Sequence, residues 1–113
     1  MSMGATKAGL FTKQQNELAN MAKALAHPAR IAILQYLLKQ NACICSDLVE
    51  ELGLAQATTS QHLKELKQAG IIQGSVEGAS VCYCINPKVW RQYNALFSNF
   101  FGEVELSGGR KCC

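Results

Sequence analysis

No run in this chain approaches the roughly 18 consecutive apolar residues of a membrane span. The opening MSMGATKAGLF also lacks the apolar centre of a signal peptide. A cytoplasmic protein without membrane contact is expected. Charge is sparse too: 17% of residues are charged and the net charge is +3, which permits a nucleic-acid partner without demanding one. With 49% hydrophobic residues the chain is nonetheless globular rather than disordered, and 113 residues make one domain with a modest core. Histidine occurs only twice, so a nitrogen-oxygen site for zinc or nickel is poorly supplied. No nucleophile-base constellation, helix-borne acid pair or phosphate loop stands out, and an enzyme is not expected.

What is present begins with Cys45 to Ile72, CSDLVEELGLAQATTSQHLKELKQAGII. Leu48, Val49 and Leu52 have helical spacing, and Gly53 suits the left-handed position that closes a helix. A second helix is predicted from about Ala57 to Ala69, closed by Gly70. On it Thr59, Leu63 and Leu66 share one face, while Ala57, Gln61, Lys64 and Gln68 face the other way, with Ser60 beside them. Small and amide side chains at the start of an exposed helix suit base edges in a major groove. An ordinary amphipathic hairpin has a polar face as well. The next residues decide between them: Ile71 to Val76 and Ser80 to Ile85 are β-prone runs around Glu77-Gly78-Ala79, stopped by Asn86-Pro87. A helix-turn-helix followed at once by a β-hairpin is the winged variant, and DNA binding is expected.

Upstream, Thr12 is a good N-cap for a helix through Leu18, Met21, Ala22 and Leu25. Pro28 opens a second helix to about Lys39 that is expected to bury Ile31, Leu34, Leu37 and Leu38. His27 belongs to the junction between them. A last helix, Lys88 to Phe101, carries Val89, Trp90, Tyr93, Leu96, Phe97, Phe100 and Phe101 at spacings of three and four. So much aromatic surface on a terminal helix either closes the monomer core or pairs with its copy in a homodimer. The expected organisation is a loosely ordered segment 1–11, a winged helix-turn-helix domain 12–101, and a flexible cysteine-bearing tail 102–113.

Six cysteines are many for such a chain, and they fall in pairs: Cys43-x-Cys45, Cys82-x-Cys84 and Cys112-Cys113. Without a signal sequence this is no secreted disulfide framework, which leaves metal, metalloid or redox chemistry. Cys82 and Cys84 point to one face of a strand and are expected as small packing residues of the wing.

Together these features resemble the ArsR/SmtB family of bacterial winged-helix repressors. The likeness covers about residues 15 to 101. It is carried by Ala24-Leu25-Ala26-His27-Pro28-Ala29-Arg30-Ile31-Ala32-Ile33-Leu34, by Asp47-Leu48 with Gly53 through Leu66, by Ala69-Gly70-Ile71-Ile72, and by Glu77-Gly78 with Val81-Cys82-Tyr83. It implies a mostly α fold with a β-hairpin wing, ordered α-α-α-α-β-β-α, dimeric through its first and last helices. It implies that Gln56, Ala57, Ser60 and Gln61 face the groove of double-stranded operator DNA; Thr58 and Lys64 complete the expected contact set. His62 is expected to pack or to meet a phosphate.

Zinc sensors of that family resemble one another in carrying His, Asp and Glu ligands on the last helix, and Lys88 to Phe101 has none. Thiolates are abundant instead, so the expected inducer is arsenite or antimonite in a three-thiolate site. Arsenic sensors resemble one another in a Cys-x-Cys directly before an acidic-Leu pair. Here Ser46 intervenes, which rotates Cys43 and Cys45 by about 100° on a helix. Other arsenic sensors resemble this chain in an adjacent cysteine pair near a terminus, and that resemblance implies Cys112 and Cys113 as ligands, supplemented by Cys43 or Cys45 from either subunit. The alternative is a redox or persulfide switch of the same fold, linking the tail to Cys43 or Cys45.

Overall fold

Thr12 sets the first helix. Its hydroxyl accepts from the Gln15 amide at 3.0 Å, and the Gln15 side chain accepts from the Thr12 amide at 2.9 Å, so two orphan N–H groups are satisfied reciprocally. The computed structural model describes residues 9–40, 43–44, 48–77 and 80–102. Within them α1 spans Lys13–Ala24, α2 Pro28–Gln40, α3 Leu48–Leu52 and α4 Gln56–Gln68. Strands β1 (Ile72–Glu77) and β2 (Ser80–Ile85) follow, and α5 (Pro87–Gly102) ends the described chain. This is the expected element order. The segments expected to be loose fall mostly outside the described residues.

Helix starts and stops have local causes. His27 accepts from the Ala29 amide through Nδ1 at 3.0 Å and so caps α2, the junction role expected of it. Gly53 and Gly70 both take positive φ, 71° and 84°, directly after α3 and at the exit of α4. The Asn86 side chain accepts from the Lys88 amide at 3.1 Å, which starts α5 at Pro87 rather than Lys88.

The core gathers Ile33, Leu34 and Leu37 of α2, Leu63 and Leu66 of α4, Ile71 and Ile72 at the strand entry, and Tyr93 of α5. Burial of Tyr93 pushes its phenol pKa up. One expectation fails on α2. Ile31 and Leu38 are exposed, at 39% and 42%, and Ile33 with Ala29 takes their place. The helix is apolar on most sides, so spacing alone did not identify the inward face; α4 and β2 select the side centred on Ile33 and Leu37.

β1 and β2 pair antiparallel from Ile72↔Ile85 to Glu77↔Ser80. A third segment joins them. Ile44 and Tyr83 exchange both backbone hydrogen bonds, Ile44 N to Tyr83 O at 2.7 Å and Tyr83 N to Ile44 O at 2.9 Å. The residues just before the helix-turn-helix are thereby stitched to the outer edge of the wing. Among the described residues no helix is long and apolar enough to cross a membrane.

Candidate nucleic-acid interface and thiol site

α4 turns two polar residues inward, and both have a structural effect. Thr59, Leu63 and Leu66 are buried as the spacing predicts, and His62 joins them at 8% exposure. His62 Nδ1 accepts from Arg30 Nε at 3.0 Å, which places its own proton on Nε2, and its ring lies 4.3 Å from that of His27. Arg30 also donates to the carbonyls of Ala24 at 3.2 Å and Lys23 at 3.4 Å, at the C-terminal end of α1. One guanidinium thus ties α1, α2 and α4 together. Burial, then the neighbouring His27 and Arg30, hold the His62 pKa below its ordinary value, against a smaller opposing pull from Glu65. Both histidines have packing roles, the packing alternative expected for His62.

The outer face of α4 is open. Gln56, Ala57, Thr58, Ser60, Gln61 and Lys64 are all exposed, so the structure places the whole expected contact set on solvent-facing positions of one helix. Gln61 donates through Nε2 to Glu65 at 3.0 Å, leaving its carbonyl and second N–H for a base edge. Ala55 stands at the N-cap and has no side chain able to cap the first amides of α4, which among the described residues leaves them open to an approaching phosphate.

The thiols are arranged in a way the residue spacing did not reveal. Because Ile44 and Tyr83 form the hydrogen-bonded pair of the bridge, their neighbours Cys43 and Cys84 occupy a non-hydrogen-bonded position, where opposing Cα atoms approach to about 4.5 Å. Their Cα atoms are 4.3 Å apart and their sulfurs are joined in a disulfide. Cys82, buried to 2% exposure, is likewise disulfide-bonded. Cys84 and Cys82 are therefore more than small packing residues. Cys43 is one of the expected ligands; Cys45, Cys112 and Cys113, the other three, lie outside the described residues. Among the described residues no three His, Cys, Asp or Glu side chains form a ready metal cluster. An open cavity of about 480 Å³ lies beside the Cys43–Cys84 pair, lined also by Leu38, Gln73, Trp90 and Arg91. The signal that pointed here was the pair of Cys-x-Cys motifs; their meeting depends on strand register, which spacing along the chain does not encode.

A second cavity, about 700 Å³, runs between α1 and α5 and is lined by Leu18, Ala22, Leu96, Phe97, Phe100 and Phe101 among others. Phe100 and Phe101 are 53% and 72% exposed. This is the aromatic stripe expected at a dimer interface.

Comparison with known proteins gives consistent results. Residues 27–73 match the family model described as bacterial regulatory protein, arsR family. The chain is 30% identical over 89 residues to the biofilm growth-associated repressor of Xylella fastidiosa, covering 78% of this chain and 77% of that one. It is 44% identical over 61 residues to the HTH-type transcriptional repressor SmtB of Mycobacterium tuberculosis, covering 54% of this chain and 44% of that one. The matched part thus spans less than half of SmtB. The crystal structure of the Xylella fastidiosa repressor BigR superposes with a TM-score of 0.60 at 27% identity, over 88% of this chain and 97% of that one. A homodimeric winged helix-turn-helix DNA-binding domain from Mycobacterium bovis gives 0.58 at 25% identity, over 93% and 94%. The cadmium sensor CMTR of Mycobacterium tuberculosis gives 0.53 at 29% identity, over 85% and 96%.

Proposed function

Since the chain belongs to the ArsR/SmtB family of winged helix-turn-helix regulators, we propose that it is a cytoplasmic transcriptional repressor, bound to operator DNA as a homodimer and released by arsenite. The observation that carries the inducer reading is the Cys43–Cys84 link, which joins thiol chemistry to the backbone on both sides of the recognition helix. DNA recognition rests on the exposed face of α4, with Gln61, Ser60 and Ala57 at base edges and the uncapped helix start at a phosphate.

The donor set fits a thiophilic ion. His27 and His62 are engaged with each other, with the Ala29 amide and with Arg30, and α5 has no His, Asp or Glu. Thiolates from Cys112 and Cys113 of the tail, with Cys43 or Cys45 as the third donor, would hold a trivalent metalloid. A related regulator is a cadmium sensor, so soft-ion sensing has precedent on this fold. Dimerisation, which a homodimeric Mycobacterium bovis relative supports, would cover Phe100, Phe101 and the cavity beside them if it runs through α1 and α5. The same joint would place two recognition helices about one duplex turn apart, for a palindromic site.

The disulfide itself favours a second reading. Cytosolic disulfides are commonly redox-sensing, and two thiols oxidised by hydrogen peroxide would yield the Cys43–Cys84 bond and two waters. Titration of the reduced protein with arsenite tests the first reading: thiolate-to-arsenic charge-transfer absorption should appear as the operator is released. Release by peroxide with no response to arsenite would replace it with the second.

A further inference from the structure

We propose that the wing itself supplies an arsenic ligand: Cys84 and Cys43 form a cross-strand dithiol that captures the inducer within one subunit. This rests on the arsenite reading above and relocates its site from the tail to the wing.

The bridge geometry carries the inference. Ile44 and Tyr83 lock the register, so the Cys43 and Cys84 side chains project from the same face with Cα atoms 4.3 Å apart. Their sulfurs need only separate from bonding distance to the wider spacing of two ligands on one ion. No described segment has to travel to bring the two side chains together. The cavity beside the pair leaves an approach for a small neutral solute, with Trp90 on its wall.

The chemistry balances without a change in the oxidation state of arsenic. A cytosolic dithiol reductant first takes the disulfide to two thiols and is itself oxidised to a disulfide. The two thiols then displace two hydroxyls of As(OH)3, giving a dithiolate hydroxide and two waters. A third thiol can exchange the last hydroxyl for one more water.

Occupancy would tie the two thiols of the reduced protein together through an S–As–S bridge. The change falls between the segment entering α3 and the strand leaving the wing, two elements whose relative position sets how α4 and the wing meet a duplex.

The test uses the full chain, reduced and titrated with sodium arsenite alone. Operator release is followed by anisotropy, and the single tryptophan, Trp90, reports on the cavity by fluorescence. Cys84→Ser and Cys84→Ala should each raise the arsenite concentration for half-release by about tenfold or more, the effect of losing about 1.4 kcal/mol of binding. The double substitution Cys112→Ser, Cys113→Ser should raise it by a smaller factor than either Cys84 substitution. In the unaltered protein, arsenite should shield Cys43 and Cys84 from alkylation, a readout independent of whether any variant folds well. Full shielding of the tail cysteines with Cys84 freely alkylated, or an unchanged response in both Cys84 variants, overturns the wing site and leaves arsenite sensing standing. If the unaltered protein binds no arsenite, the inducer reading falls and the wing site with it.

Discussion

Replacing Arg30 with methionine keeps an unbranched apolar stem and removes the guanidinium with its hydrogen bonds. The Nε–H to His62 at 3.0 Å is a charge-assisted bond to a buried acceptor, a class worth about 1.5–3 kcal/mol. The two longer bonds to the Lys23 and Ala24 carbonyls, with the favourable charge at the end of α1, add about 0.3–1 kcal/mol. Arg30 is only half-buried, so the lower part of the combined range applies, about 2–3 kcal/mol. Urea denaturation at pH 7.5 and one fixed protein concentration should show that loss. The pH dependence adds a second signature. The lowered pKa of His62 means that the unfolded chain takes up its proton first. The stability contributed is complete above the ordinary histidine value of 6.5 and is lost as the pH falls from there through the folded value. Removing Arg30 removes one of the lowering influences, so the Arg30→Met protein should lose less stability between pH 7.5 and 5.5 than its parent. A loss under about 0.5 kcal/mol at pH 7.5, the usual scale of a surface change, would refute the view that this guanidinium holds the recognition helix in place.

Three further outcomes are expected. Gln61→Ala and Ser60→Ala should each weaken operator binding by about 1–3 kcal/mol in a salt-controlled gel shift, with the melting curve unchanged; parent-like affinity in both would remove α4 from the base-reading role. Phe101→Glu, at a position 72% exposed in the single chain, should leave the fold intact but shift sedimentation toward monomer; an unaltered dimer would place the interface elsewhere. Thr59→Val should stabilise the protein by about 1 kcal/mol, because the buried Thr59 hydroxyl has no hydrogen-bond partner among the described residues; destabilisation would show that the hydroxyl is satisfied in solution.

Much of the architecture was legible because its causes are local. Thr12, Pro28, Gly53, Gly70 and Asn86 act within a few residues, and each marks its helix boundary to within one or two positions. The exposed face of α4 was legible for the same reason, since a period of 3.6 separates Thr59, Leu63 and Leu66 from Ala57, Gln61 and Lys64. α2 was less transparent because leucine and isoleucine occupy most of its circumference, and only neighbouring elements choose the inward side. The thiol arrangement was hidden for another reason. That Cys43 faces Cys84 follows from a two-residue bridge between segments far apart in the chain, and nothing in the local pattern around Ile44 announces a strand partner. His62 illustrates the same limit, since its acceptor role depends on Arg30, 32 residues away.

The Cys43–Cys84 bond has a topological consequence as well. Its ends are 41 residues apart, and α3, α4 and β1 all lie between them. All three elements are therefore enclosed in one covalent ring. By chain entropy, closing a ring of that size removes about 4 kcal/mol of freedom from the unfolded state. A protease cut at Lys64 or Lys67 would open the ring without dividing the molecule, and the two fragments would part only on adding reductant. In the oxidised protein the recognition helix can be nicked and still not lost.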